Sequence, residues 1–315
     1  MPAVLGLDLG GTVIKAGVVD EHGTVQNHRT APSAEGRGVE GWIRAVTALA
    51  HDALASSEVT PVAVGVSVPG AVDAPTGTVL DLVARLDVGD GACLPELLSG
   101  LGLPVHVDND ARAALAAERA WGAARGIEDV VLLTLGTGLG GAALVGGRPP
   151  GTRPLSGNQV GHFVIDVDGP ECVCGGRGCA ETFVSATGLL RLAAQEGAPA
   201  EDPAAVFLAA KGGDAASRRA VDAFTAALTA VVITSVHAYQ PELVVLGGGL
   251  MGSQAHFLAR VQQDVRSRAW THPRDGVRVT ATTLHGHLGV AGAAAVALAR
   301  TADLPNHQST SRRAS

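Results

Sequence analysis

The 315-residue chain is 46% hydrophobic and 17% charged, the composition of a soluble globular protein long enough for a large core and two domains. A net charge of −7 and an aromatic content of 3% argue against a general nucleic-acid binder, which needs a basic face and stacking platforms. The N-terminus runs into an apolar strand without a basic region or a small-residue cleavage site, so no signal peptide is expected.

Residues 4–9 form an apolar run ending in Asp8-Leu9-Gly10-Gly11-Thr12. Residues 13–20 follow, then a turn at 21–23 and a third strand at 24–29, which together make a β-meander opened by a Gly-rich hairpin. Residues 39–56 place Trp42, Ile43, Val46, Leu49 and Leu54 at helical spacing. A buried strand at 62–68 is closed by Pro69-Gly70, and a short helix (94–101), a strand (105–107) and an Ala-rich helix (111–121) come next. Then the pattern restarts. Residues 130–135 are an apolar strand followed by Gly136-Thr137-Gly138-Leu139-Gly140-Gly141 and another strand at 142–145, which reads as internal duplication of a supersecondary unit.

Helices are expected at 186–195, 203–211 and 214–239. The apolar stretch 223–239 is broken by Thr225, Thr229, Thr234, Ser235 and His237, so it reads as a buried helix and not a membrane span. A strand at 243–246 ends in Gly247-Gly248-Gly249, followed by a helix (254–268), a strand (277–281) and a small-residue helix (289–300). Residues 301–315 are polar and expected to be disordered. Two similar α/β halves with Gly-rich turns imply a ligand cleft between them.

The turn Asp8 to Thr12 suits phosphate: glycines let backbone N–H groups approach the oxygens, Thr12 adds a hydroxyl donor, and Asp8 can hold Mg²⁺ directly or through water. Lys15 is either a phosphate counter-charge or a solvated strand residue. The second copy, Gly136 to Gly141, has the glycine spacing of a dinucleotide fingerprint, but a strand follows it where that fingerprint opens a helix. Asp108-Asn109-Asp110 sits between a strand and a helix. Any of the three can be an N-cap, or one carboxylate can take the proton from a hydroxyl that attacks the γ-phosphate. The residues alone do not choose between Asp108 and Asp110.

Residues 161–181 pack Cys172, Cys174 and Cys179 into eight residues, with His162 ten residues before the first. Glycines at 169, 175, 176 and 178 let side chains so close in sequence converge, and three thiolates with one imidazole make a closed tetrahedral zinc site; the plain alternative is a loop of free thiols, or a disulfide with one cysteine left over. A cysteine cluster suited to metal points to the cytoplasm.

The run G-H…C-x-C-G-x-x-G-C-x-E at 161–181 is very similar to the signature of the ROK family (repressors, open reading frames, kinases), bacterial sugar kinases and related sugar-sensing repressors. Short motifs from residue 6 to about 297 extend the resemblance. It implies an α/β protein of the actin-like ATPase (ribonuclease-H-like) fold. One domain would be residues 1–115, joined by the helix at about 289–300. The other would be 116–288, with the zinc loop at 161–181, and 301–315 would be a tail.

For the nucleotide, the resemblance implies ATP bound by Asp8, Gly10, Gly11 and Thr12, by a second phosphate loop at Gly136, Thr137 and Gly138, and by an adenosine loop at Gly247, Gly248 and Gly249. For the acceptor, Asp110 would be the base and Asn109 a sugar hydrogen-bond donor. Gly70 would line the sugar pocket, Glu181 would accept from sugar hydroxyls, and His162 would both ligate zinc and touch the sugar. Zinc would be structural, since His162, Cys172, Cys174 and Cys179 fill all four positions. Most family members are dimers or tetramers, so a homodimer at least is expected.

Two positions depart from the family pattern. Gln159-Val160-Gly161-His162 has Gln where ROK glucokinases usually have Glu, and Arg85-Leu86 stands where an Asn-Leu pair is usual. Both changes fall on the sugar side and leave the phosphoryl-transfer parts intact. The resemblance therefore implies ATP-dependent phosphorylation of a hexose-type sugar at a primary, 6-position hydroxyl. An aminosugar or cyclitol as acceptor, or a weakly catalytic sugar-binding protein, are the alternatives. The family's repressors carry an N-terminal helix-turn-helix extension of several dozen residues, and this chain begins within three residues of its first strand.

Overall fold

The computed structural model describes residues 3–33, 38–81, 87–150, 159–199, 201–271, 276–284 and 286–302. They divide into two compact units, 1–109 with 289–315, and 110–288.

The first unit is built on a five-stranded sheet in the order β3-β2-β1-β4-β7. Its strands are β1 (Ala3–Leu9), β2 (Val13–Val19), β3 (Val25–Pro32), β4 (Pro61–Val68) and β7 (Val105–Asn109), with helix α1 (Gly38–Ala55) between β3 and β4. The first three strands are antiparallel, and β4 and β7 run parallel to β1. β1 and β4 are apolar nearly throughout because both of their faces are covered. Leu5, Leu7, Leu9 and Ile14 share one core with Trp42 and Val46 of α1. Helix α8 (Leu288–Ala302) covers the other face from Gly289 onward. It packs so close that a Cβ on Gly65 of β4 would lie 1.8 Å from the Ala293 carbonyl oxygen, so only glycine admits the helix there.

A small hairpin, β5 (Ala71–Asp73) and β6 (Thr78–Asp81), and a short helix α2 (Leu94–Leu97) follow β4. The hairpin was not expected from the sequence. The expected helix at 94–101 is two pieces, since α2 gives way to a 3₁₀ turn at Ser99–Leu101.

The second unit repeats the plan. Its sheet order is β11-β10-β8-β9, from β8 (Val130–Leu135), β9 (Leu139–Leu144), β10 (Leu243–Gly247) and β11 (Arg278–Ala281). An antiparallel hairpin is again followed by two parallel strands, so the internal duplication extends to four strands per unit. Helix α3 (Asp110–Ala120) covers one face through Ala111, Ala114 and Leu115. The opposite face meets α4 (Ala186–Gln195), α5 (Pro203–Lys211), α6 (Ala215–Tyr239) and α7 (Leu258–Arg268). α6 is long and apolar enough to cross a membrane, yet Phe224, Leu228, Val231 and Val232 are buried in this core, as the sequence reading has it.

The expected helix at 254–268 is interrupted. A 3₁₀ segment, Gly249–His256, ends at Phe257, and α7 begins only at Leu258. Phe257 is buried and its ring sits 5.8 Å from Phe207 and 5.6 Å from Phe224, so burial of an aromatic anchor overrides helix continuity. The expected disordered tail also begins too early at 301, since Thr301 and Ala302 still belong to α8; residues 303–315 lie outside the described residues.

Candidate active site

In the first unit the parallel register of β1, β4 and β7 lines up Asp8, Ser67 and Asp108 near the carboxyl ends of the strands. Open α/β sheets bind ligands at this end. Asp8 is bonded on both oxygens. Lys15, its cross-strand partner, donates from Nζ to Oδ2 at 3.1 Å, and Ser67 donates from Oγ to Oδ1 at 2.7 Å. The Gly10-Gly11 turn and Thr12 join β1 to β2, and the Thr12 carbonyl accepts from Ser33 N–H at 2.8 Å.

Asn109 ends β7, is buried, and donates from Nδ2 to the Gly70 carbonyl at 3.0 Å. Gly70 has φ 99°, a conformation that favours glycine. The two flanking carboxylates differ. Asp108 is buried and its Oδ1 accepts from Asn109 N–H at 2.8 Å. Asp110 is exposed at the first residue of α3, where its Oδ1 accepts from Ala111 N–H at 2.8 Å. The accessible carboxylate of the pair is therefore Asp110.

In the second unit several segments meet at the turn Gly136-Thr137-Gly138. Glu181 accepts from Leu139 N–H at 2.9 Å, and a Cβ on Gly138 would lie 2.3 Å from Glu181 Oε2. The Gly136 carbonyl accepts from Ala186 N–H at 2.8 Å, and Thr187 Oγ1 donates to the Thr137 carbonyl at 3.1 Å. The 3₁₀ turn Val160–His162 abuts the same place, since a Cβ on Gly161 would lie 2.2 Å from the Leu139 carbonyl oxygen. Gly248 approaches Leu135 as closely, with a Cβ that would fall 2.4 Å from its carbonyl oxygen. The structure thus gathers residues 136–138, 159–162, 181 and 247–249, which are far apart in sequence. Gln159 sits in the left-handed region at φ 50°, a conformation that costs a non-glycine residue about 1 kcal/mol or more and tends to mark functional positions. Arg85 and Leu86 lie outside the described residues.

Beside this cluster, His162, Cys172, Cys174 and Cys179 bring one ligand atom each within 4.8 Å of one another. His162 Nδ1 is 3.7 Å from Cys172 Sγ, and Cys174 Sγ is 3.7 Å from Cys179 Sγ. A tetrahedron with metal–sulfur bonds of about 2.3 Å has edges of about 3.8 Å, so these two pairs stand near tetrahedral ligand spacing and all four atoms are close enough to converge on one ion. Burial, then the Cys174 and Cys172 thiols, push Cys179 up to about 12, while the Gly176 backbone N–H and the Cys172 and Cys179 thiols hold Cys174 below the usual thiol range. A divalent cation relieves this conflict, because it favours the thiolate at every sulfur. The donor set fits zinc.

Sequence reasoning passed over Ser67. Its signal was available: it is the one polar residue in β4, Pro-Val-Ala-Val-Gly-Val-Ser-Val, just before Pro69-Gly70.

The profile of the ROK family matches residues 4–300. A glucokinase of Thermotoga maritima is 30% identical over 307 residues, covering 93% of this chain and 96% of its own. The crystal structure of a ROK hexokinase from Thermus thermophilus superposes with a TM-score of 0.78 at 30% identity, over 96% of this chain and 100% of that one. A ROK family glucokinase from Streptomyces griseus, solved in complex with glucose and AMPPNP, superposes with a TM-score of 0.82 at 29% identity, over 95% and 99% of the two chains.

Proposed function

Since this chain belongs to the ROK family, has the actin-like ATPase fold and is an ATP-dependent sugar kinase, we propose that it phosphorylates a hexose-type ring sugar at a primary, 6-position hydroxyl. The observation that carries this reading is the pair of glycine turns at corresponding places in the two sheets, one beside Asp8 and the other beside Glu181. Backbone N–H groups of Gly10, Gly11 and Gly138 would hold the phosphates, with the hydroxyls of Thr12 and Thr137; Gly136, whose N–H donates to the Gly138 carbonyl at 2.9 Å, would shape the second turn, and Gly247 to Gly249 would leave room for the purine. Asp8 would hold Mg²⁺, which draws charge from the β- and γ-phosphates when bound. Asn109, Gly70, Gln159, His162 and Glu181 would bind and orient the sugar. Asp110 would accept the proton of the attacking hydroxyl. His162, Cys172, Cys174 and Cys179 would hold a structural zinc that keeps His162 and Glu181 in place. The same reading puts the protein in the cytoplasm, where thiols stay reduced.

The sugar side is where this chain differs from a glucokinase. A carboxylate accepts from two hydroxyls with charge-assisted bonds, whereas the Gln159 amide is neutral and half of it is a donor. Glucose is therefore expected to be a poor substrate beside an aminosugar or a cyclitol. The test is ADP release over a panel of hexoses, aminosugars and cyclitols, in wild type and in Gln159→Glu. The variant should gain about tenfold in kcat/KM for glucose, the scale of one neutral bond made charge-assisted. A wild type that already prefers glucose, with nothing gained in the variant, makes Gln159 silent and the protein a plain glucokinase.

Family resemblance also supports a homodimer or larger assembly. Light scattering should give at least twice the chain mass of 31.6 kDa, and a mass near 31.6 kDa refutes it.

A further inference from the structure

The carboxylate of Asp8 is held by residues that the functional reading does not use. Ser67 is fully buried, with 0% exposure, on a strand whose other side chains are all apolar. A buried hydroxyl is costly unless it is bonded, and its partner is Asp8 Oδ1 at 2.7 Å. Gly289, at the start of α8, bounds the carboxylate elsewhere: a Cβ there would lie 2.2 Å from Asp8 Oδ2. Any side chain at 289 would have to displace the carboxylate. Three residues beyond Ser67, the Gly70 carbonyl accepts from Asn109 Nδ2. The short segment Ser67-Val68-Pro69-Gly70 therefore bonds Asp8 with its first residue and Asn109 with its last.

We propose that Ser67 is a positioning residue for phosphoryl transfer: its hydroxyl fixes the orientation of the Asp8 carboxylate toward Mg²⁺–nucleotide, and Gly289 is glycine to leave that carboxylate its place. The proposal rests on the reading of Asp8 as the carboxylate that serves the metal. Ser67 spends its hydrogen on Oδ1 and Lys15 donates to Oδ2, so the remaining acceptor positions of the carboxylate are presented in one orientation. A carboxylate left to rotate would have to be ordered each time the metal arrives, and Mg²⁺ tolerates little departure from octahedral geometry. The effect of losing Ser67 should therefore appear in metal dependence and not in sugar affinity.

The experiment compares full-length wild type, Ser67→Ala, Gly289→Ala, Asp8→Asn and the Asp8→Asn/Ser67→Ala double variant. It reads three quantities: the Mg²⁺ concentration for half-maximal turnover, calorimetric ATP affinity with and without Mg²⁺, and the sugar KM. Ser67→Ala should raise the half-maximal Mg²⁺ concentration about tenfold, the scale of one lost hydrogen bond to a charged group. It should weaken ATP binding only when Mg²⁺ is present and leave the sugar KM within about twofold. Gly289→Ala should shift the Mg²⁺ dependence in the same direction with Ser67 in place, which keeps the test open if Ser67→Ala folds poorly. In the Asp8→Asn background, Ser67→Ala should add nothing further, because both act through one carboxylate. Wild-type Mg²⁺ dependence in Ser67→Ala and Gly289→Ala, with Asp8→Asn impaired, overturns the positioning role while the reading of Asp8 survives. Wild-type Mg²⁺ dependence in Asp8→Asn itself overturns both. An equal rise in sugar KM marks general damage and also overturns it.

Discussion

Asp110→Asn is expected to cut turnover by about two or more orders of magnitude and to leave nucleotide affinity nearly unchanged. The exchange keeps the size of the side chain and its ability to accept from Ala111 N–H at the start of α3, so the helix should still form. What it removes is the basic oxygen. A sugar hydroxyl attacking a γ-phosphate must lose its proton near the transition state, and a group that takes it contributes about 10²–10⁴-fold. Nucleotide affinity should survive because Asp8 and both glycine turns remain. A single-turnover rate measured beside a calorimetric nucleotide affinity separates the two quantities.

The neighbouring carboxylate is the control. Asp108 is buried, with one oxygen already engaged by the Asn109 backbone. Asp108→Asn should lower stability more than turnover, since it disturbs a buried group beside the edge of the sheet. If Asp110→Asn turns over normally while Asp108→Asn is inactive, the base is Asp108.

How much of this was readable before the structure depends on distance along the chain. The two glycine turns were legible because each ends an apolar run and each is followed at once by its hairpin partner, Asp8 pairing with Lys15 and Leu135 with Leu139. The His-Cys cluster was legible for the same reason: its four side chains fall within 18 residues, from His162 to Cys179. Ser67 was not, because the residue it serves lies 59 positions away and the parallel register that joins them is set by sheet order. Glu181 was placed only by family resemblance, and its contact with Leu139 N–H, 42 residues distant, has no local signal at all. The break at Phe257 was missed because the helical spacing continues through it; three aromatic rings that meet from α5, α6 and the 3₁₀ end decide the matter. The hairpin of β5 and β6 carries Pro75 and Gly77 in its turn, but strands of three and four residues leave too little period-two pattern to read.

Removal of the metal is expected to cost both the order of the 162–181 loop and the activity. Apolar burial anchors this loop only at its ends, through Phe163 and Ile165 against the core and Ala180 within it, while Val164, Val167 and Val173 are 58%, 78% and 85% exposed. Between those ends the loop is tied by backbone hydrogen bonds, such as Ile165 N–H to the Gly178 carbonyl at 2.9 Å and Cys172 N–H to the Gly176 carbonyl at 2.9 Å. Each such bond is worth about 1 kcal/mol net, against about 10–16 kcal/mol for structural zinc in small metal-folded peptides. Zinc–ligand bonds would therefore outweigh any one of these contacts, and the damage should travel, because Glu181 lies two residues after Cys179 and bonds the start of β9. Metal analysis of purified protein should find about one zinc per chain. A strong chelator, or Cys179→Ser, should release it, open residues 163–180 to proteolysis and abolish turnover. Acid should act in the same direction: protons compete with the metal for thiolates and imidazole, so zinc is retained at neutral pH and lost as pH falls. Metal-free protein that resists cleavage in this loop and keeps full turnover would show that the four side chains are neighbours and not ligands.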